Sequence, residues 1–302
     1  MLLSYILFFY LLYNHPRTRI PLILYYTYIQ FFDVQPSKSW RHWWPYYERC
    51  RNWACWKLAL DYFPNSKLVK TAPLPPTKNY LICYHPHGII SMGLQLGLAL
   101  NCLDFTSVFP SITRSVCTLV ASFKFPFFRE LILMNGYVDC NRHTLKSTLS
   151  LPGESLVLVP GGANEALHSQ PGKFKLHILK RFGFVKVAIQ TGASLVPCLG
   201  FGENDLFSTV DNQSTGFFSQ KLYKIQVWCM KKCSFSAPLL TQFFPNRVSL
   251  ICVVGAPIDV EKVADPSVEL VGKVHAQYVK ALVDLYEKHK AEHGNGVELE
   301  LT

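Results

Sequence analysis

Charge is scarce in this sequence: Asp, Glu, Lys and Arg make up 17% of 302 residues, against roughly 25% in an ordinary soluble domain. Hydrophobic residues reach 49% and aromatics 14%, so the chain carries more apolar surface than water alone would favour. None of the 10 cysteines forms a Cys-x-x-Cys pair. Several sit inside apolar runs, which points to buried, reduced thiols in a cytosol-facing protein. Cys229 and Cys233 have no His or Cys partners at ligand spacing, so no metal is expected. A Gly-x-Ser-x-Gly elbow is missing, which weighs against a serine hydrolase, and so is a Gly-rich P-loop. Repeats and low-complexity tracts are absent.

Acidic residues are also few: 20 against 30 basic ones leave a net charge of +10. That excess suits an anionic membrane face or a phosphate-bearing substrate. The basic residues are scattered and make no nucleic-acid module, so no nucleic acid is expected as partner. The length allows one large α/β domain or two small ones.

Two apolar segments, Met1 to Tyr13 and Ile20 to Phe32, open the chain. A helix of 13 residues is about 20 Å long against a hydrocarbon core of about 30 Å, so neither spans comfortably. A deep hairpin would put Arg17 and Arg19 on the far side, against the positive-inside tendency, while Lys38, Arg41, Arg49 and Arg51 follow. The pattern predicts a shallow or re-entrant anchor held from the cytosolic side, with a truncated first membrane helix as the alternative. No charged n-region or cleavage site marks a secretory signal. From Trp40 to Trp56, Trp and Tyr interleave with Arg, as suits the headgroup layer. An aromatic core under a basic face would read the same way. Residues 1–64 are therefore taken as a membrane-anchoring apolar and aromatic region and 65–302 as an α/β domain, with the Pro-rich stretch Thr71 to Thr77 as connector.

Within 65–302, strands are predicted at Tyr80–Tyr84, Ser155–Val159, Ser194–Leu199 and Val248–Val254. Helices are predicted at Ile89–Leu100, 183–190 and Val268–His289. The alternation predicts an α/β fold, a mixed sheet flanked by helices. The last helix has apolar residues at 271, 274, 278, 282 and 285, a core-facing stripe that makes His275 structural.

Three strand ends carry the chemistry. His85-Pro86-His87-Gly88 closes the first strand, and residues two apart on extended backbone share a side, so both rings are expected to face one pocket. The positive end of the following helix would keep His87 neutral and available as a base. A hydrogen-bonded pair of histidines in a turn is the bland alternative, and a metal hydrolase site needing further ligands a minor one. Pro160-Gly161-Gly162, directly after the second strand, suits backbone N–H donors facing an anion or oxyanion, with Glu165 one turn on. Glu165 could equally be a helix-capping acid. Gly200-Phe201-Gly202-Glu203-Asn204-Asp205 is no dinucleotide fingerprint, because Asp205 takes the third glycine's place. Its polar residues line a cleft or form a loop. A histidine base with no nucleophilic side chain suits direct acyl transfer from a thioester to an alcohol, with a thiolate, conjugate acid pKa about 8.5, as leaving group.

Several ordered motifs together, from about Asp61 to Lys290, resemble the acyl-CoA diacylglycerol and monoacylglycerol acyltransferase family, the branch that includes wax-alcohol acyltransferases. They are Tyr62-Phe63-Pro64, His85-Pro86-His87-Gly88, Pro160-Gly161-Gly162-x-x-Glu165, Arg181-x-Gly183-Phe184, Gly202-Glu203-Asn204 and Val254-Gly255-x-Pro257. The resemblance implies a glycerolipid-acyltransferase-like fold and an enzyme of the endoplasmic reticulum membrane, active site facing the cytosol, able to associate with lipid droplets. It implies esterification of a mono- or diacylglycerol, with acyl-CoA as co-substrate and no cofactor, and membrane lipids as partners; a homo-oligomer is allowed. His87 would be the base and His85 its orienting neighbour. Related phospholipid acyltransferases place an Asp five residues after the base; Ile90 and Met92 stand in that region here, so Glu165 becomes the candidate orienting carboxylate. Tyr62, Phe63, Pro64, Gly88, Pro160, Gly161, Gly162, Arg181, Glu203 and Asn204 would contact substrate. Leu68 to Ala72, Glu165 to Leu167, Pro171-Gly172 with Phe174, and Gly202 to Phe207 look closer to the monoacylglycerol-using members than to the diacylglycerol-using ones. A non-catalytic membrane or lipid-droplet protein and a wax-alcohol acyltransferase remain the alternatives.

Overall fold

Tyr80 to His85 and Ser194 to Phe201 are buried at every position, as central strands covered on both faces must be. In the computed structural model, which describes residues 2–38, 44–209, 221, 223–228 and 238–302, they are neighbours in a seven-stranded sheet. The strands are β1 (Lys67–Lys70), β2 (Tyr80–His85), β3 (Ser115–Thr118), β4 (Tyr137–Asp139), β5 (Ser155–Leu158), β6 (Phe174–Leu176), β7 (Ser194–Phe201), β8 (Ile251–Val254) and β9 (Leu299–Leu301). The large sheet runs β1-β8-β7-β2-β5-β3-β4, parallel throughout except where β7 meets β8. A separate parallel pair joins β6 to β9.

The helices are α1 (Leu2–Asn14), α2 (Arg19–Phe31), α3 (Trp44–Arg51), α4 (Ala54–Asp61), α5 (Met92–Leu94), α6 (Phe105–Val108), α7 (Phe128–Met134), α8 (Arg142–Leu149), α9 (Gly162–Leu167), α10 (Gly183–Thr191) and α11 (Val268–His293). Alternate residues of the strands feed opposite layers. Leu81, Cys83 and Leu195 pack with Leu145, Val185, Tyr278 and Leu282 from α8, α10 and α11. Tyr80, Ile82, Tyr84 and Val196 pack on the other side with Leu94, Leu98 and Phe105. Ser267 caps α11 by accepting from the Leu270 amide at 3.1 Å, and the stripe at Val271, Val274, Tyr278, Leu282 and Leu285 is buried, as its spacing predicts.

The two N-terminal apolar segments form the α1–α2 hairpin. Arg19 folds back to donate to the Leu12 and Tyr13 carbonyls at 2.9 Å, closing the end of α1. Lys124 donates to the Ile29 and Gln30 carbonyls at 2.7 Å, and Arg129 pairs with Asp33 at 2.7 Å, pinning α2 to the α/β unit. Leu3, Tyr13, Ile20 and Phe31 remain 72–80% exposed. Among the described residues no helix is long and apolar enough to cross a membrane. Helix α3 packs into the domain, where the fully buried Arg51 donates to the Asn135 and Arg114 carbonyls, and α4, with no buried residue, lays the partly buried Trp56, Ala59 and Leu60 against it. Trp40, Arg41 and Trp43 lie outside the described residues, as do Cys229 and Cys233.

Candidate active site

The parallel central strands β2, β5 and β7 deliver three loops to their common carboxyl end, and a buried carboxylate joins two of them. Glu165, on the first turns of α9, is 3% exposed. One of its oxygens accepts the His87 amide N–H at 2.9 Å and the other the His177 amide at 2.9 Å. The second oxygen also lies 3.7 Å from Nδ1 of His85. Burial acts to raise the Glu165 pKa, but His85 and the two amides outweigh it and hold the group below the usual carboxylate value. Gly161 must lack a side chain here, because a Cβ would fall on the Glu165 carboxyl. Arg181, itself exposed, reaches the Gly161 carbonyl at 3.4 Å from the start of α10.

The rings of His85 and His87 have different hydrogen-bond partners. Strand β2 ends at His85, so the two-residue parity of extended backbone no longer governs His87. His85 is fully buried against α11, with Nε2 3.0 Å from the Tyr278 hydroxyl. With Tyr278 donating to Nε2, the proton is on Nδ1, which faces Glu165 beyond hydrogen-bond distance. The His87 ring is half-buried, and its Nδ1 lies 3.0 Å from the Gly88 carbonyl. A carbonyl can only accept, so Nδ1 carries the proton and Nε2 keeps a free lone pair. Burial lowers the His87 pKa below the ordinary histidine value, against the opposing pull of the Gly88 carbonyl and the Glu165 charge. Glu165 therefore meets His87 through its main chain, not as the carboxylate expected to orient the ring.

The predicted helix Ile89–Leu100 starts later, at Met92, and continues as a π-helical turn over Gln95–Ala99. Its first amides face Glu203 and not an imidazole. Glu203 is fully buried and accepts from the Met92 amide at 2.7 Å, the Gly93 amide at 2.7 Å and the Tyr84 hydroxyl at 2.8 Å. Gly88 has φ +56°, and a Cβ on it would sit 2.5 Å from Glu203 Cγ. Asn204 is buried too, accepting from Ser169 at 2.9 Å and donating to the Lys173 carbonyl at 2.7 Å. The polar atoms of Glu203 and Asn204 are thus engaged inside the protein, where they tie β7 to the loops at residues 88–93 and 169–173.

A model of the diacylglycerol acyltransferase family matches residues 10–302. The chain belongs to this family. It is 36% identical over 284 residues to diacylglycerol O-acyltransferase 2B of Umbelopsis ramanniana, covering 89% of this chain and 79% of that protein. It is 40% identical over 259 residues to diacylglycerol O-acyltransferase 2-like protein 6 of Mus musculus, covering 81% and 75%. It is 35% identical over 313 residues to 2-acylglycerol O-acyltransferase 1 of Bos taurus, covering 97% and 90%. A solved 1-acyl-sn-glycerophosphate acyltransferase, PlsC from Thermotoga maritima, shows 14% identity and a TM-score of 0.48 over 95% of each chain.

The protein is thus an acyltransferase. Of the other family motifs, Phe63 packs with Leu96, Leu100, Leu206 and Phe207, which bridges the helix after His87 to the loop after β7. Tyr62 and Pro64 are on the surface, with the Tyr62 hydroxyl donating to the Pro245 carbonyl at 2.7 Å. Pro160 and Gly162 are partly exposed beside the buried Gly161. Sequence reasoning missed Tyr278 and Tyr84 as partners of the site, because each sits in an apolar stripe that reads as plain core. His177 stood in no recognisable spacing, and its role is played by its amide.

Proposed function

We propose that the protein transfers a fatty acyl group from acyl-CoA to the hydroxyl of a mono- or diacylglycerol, with His87 as general base. The observation that carries this reading is the 3.0 Å contact of His87 Nδ1 with the Gly88 carbonyl on a half-buried ring, which puts the proton of the neutral imidazole on Nδ1 and its lone pair on Nε2, while burial favours the neutral ring. Nε2 takes the alcohol proton as the oxygen forms its bond to the thioester carbon. The C–S bond then breaks, and the thiolate leaves with the proton that His87 returns. A thiol pKa near about 8.5 makes this departure easy without a stronger acid. The Glu165 charge favours the imidazolium as it forms, and the turn at Gly161 and Gly162 supplies backbone donors for the oxyanion. His85 and Tyr278 brace Glu165 from the core.

The exposed apolar face of the α1–α2 hairpin supports a shallow anchor in the endoplasmic reticulum membrane or on a lipid droplet, entered from the cytosolic side. Each helix has 13 residues, about 20 Å, short of the roughly 30 Å hydrocarbon core. Such an anchor would bring the acylglycerol to the carboxyl end of the central strands. The relatives named for diacylglycerol and for 2-acylglycerol support both acceptors.

Microsomes expressing the chain, given labelled oleoyl-CoA with monoacylglycerol, diacylglycerol or a long-chain alcohol, test the reading. A new ester should appear, its rate should rise with pH with a midpoint below about 6.5, and His87→Ala should lose roughly 10²–10⁴-fold. Full activity in a well-expressed His87→Ala protein would remove the base. Ester from the long-chain alcohol alone would make the enzyme a wax-alcohol acyltransferase.

A further inference from the structure

On the face of the sheet that carries α8, α10 and α11, a groove of about 650 Å³ opens between these three helices, within the roughly 300–1,000 Å³ of small-molecule sites. Neither His87 nor Glu165 lines it. Its base is apolar, formed by the buried Leu145, Val187 and Val271, and its lip carries Phe182 at 45% and Val268 at 90% exposure. Two cations stand among these apolar groups, Arg142 and Lys186. Arg142 is hydrogen-bonded to a neutral group, the Gln190 amide oxygen, at 3.1 Å, and Lys186 faces an almost fully exposed Asp265 at 3.9 Å. Among the described residues, neither charge is neutralised by a close, buried acid.

Two glycines leave further room in the groove. Gly183 in α10 and Gly272 in α11 both line it, and a Cβ added to either would meet nothing within 4 Å. Glycine inside a helix is disfavoured relative to alanine. Gly272 lies inside α11 while Gly183 is the first residue of α10, and close packing requires glycine at neither. An apolar trough with two cations at its walls has the chemistry for one aliphatic chain that bears negative charge.

We propose that this groove is a binding site for a single-chain anionic amphiphile, a long-chain carboxylate or a fatty acyl-CoA, distinct from the reacting atoms at His87. The apolar trough takes the chain, while Arg142 and Lys186 take the carboxylate or the CoA phosphates. Cys140 lines the same groove and reports its occupancy, and Cys55 on α4 is an exposed reference thiol.

The test is alkylation of the full chain in phosphatidylcholine nanodiscs by N-ethylmaleimide, with modification at each cysteine read by peptide mass. Dodecanoate below its micellar concentration should slow labelling of Cys140 and leave Cys55 unchanged. Protection should strengthen about fourfold per added methylene from octanoate to dodecanoate, as expected for burying about 0.8 kcal/mol per CH₂. Dodecyltrimethylammonium, with the same chain and the opposite charge, should protect at least tenfold less well. Gly272→Phe, which fills the groove, and the double variant Arg142→Glu/Lys186→Glu should each weaken dodecanoate protection at least tenfold. Comparing dodecanoate with dodecanoyl-CoA on the native chain identifies the source, and tighter protection by either upholds the site. Absence of protection by both, equal protection by the cationic amphiphile, or undiminished protection in a folded Gly272→Phe protein would each overturn the proposal. If Gly272→Phe fails to fold, the chain-length series and the surface double variant decide it.

Discussion

Replacing Glu203 by Gln isolates a buried charge whose consequences can be worked out from the structure. The carboxyl is fully buried, and that burial raises its pKa from 4.5 to about 7, although the Tyr84 hydroxyl and the Gly93 and Met92 amides pull it the other way. Between those two values the folded protein holds a proton that the unfolded chain has released. Stability therefore falls as pH rises through that window. A separation of about 2.5 units at about 1.4 kcal/mol each amounts to about 3 kcal/mol. Gln removes this titration. Its oxygen can keep two of the donors, but its NH₂ must face the third, a pH-independent cost of about 1–3 kcal/mol. His87, Glu165 and other titrating groups are common to both proteins and cancel in the difference. Thermal unfolding in detergent micelles from pH 4.5 to 8 should show the native protein's stability relative to Glu203→Gln falling by about 3 kcal/mol, or roughly 5 °C in midpoint. A difference that stays flat across this range would refute the reasoning: Glu203 would then be an ordinary ionised carboxylate satisfied by its three donors.

Other substitutions probe the same framework. Glu165→Gln sets an NH₂ against either the His87 or the His177 amide, so kcat for acyl transfer should fall about 10- to 100-fold, the equivalent of one charge-assisted hydrogen bond of about 1.5–3 kcal/mol. An unchanged kcat would take Glu165 out of the site. Tyr278→Phe removes the hydroxyl on the buried Nε2 of His85 and should cost about 1–3 kcal/mol in urea unfolding; a change below about 0.5 kcal/mol would mean that a water replaces it. Gly88→Ala forces a side chain into the left-handed region and against Glu203, so it should destabilise by about 2 kcal/mol or more, and a native melting temperature would contradict the geometry.

The central strands and long helices were legible because their residues are apolar without interruption or recur at helical spacing. Strands β2, β5 and β7 and helices α10 and α11 appear within a few residues of their predicted bounds. Strands β1, β3, β4, β6 and β9 were not seen, since none of them has more than two apolar residues in a row and no run stands out, whereas β5 and β8, equally short, are apolar almost without interruption. The late start of the helix after Gly88 was equally hidden, because it depends on a carboxylate 111 residues away accepting the Met92 amide.

Local chemistry alone determined that three strand ends would carry His87, the double glycine with Glu165, and Glu203: each is a polar or Gly-rich step directly after an apolar run. Tertiary structure decided what each polar atom does. Glu165 reaches a main-chain amide of His87 and not its ring, Glu203 caps a helix turn, and Tyr278 meets His85 across 193 residues of chain. The physical reason is that a hydrogen bond is set by distance and direction in space. Sequence spacing encodes these for neighbours on one helix or strand, and encodes nothing for partners brought together by sheet order.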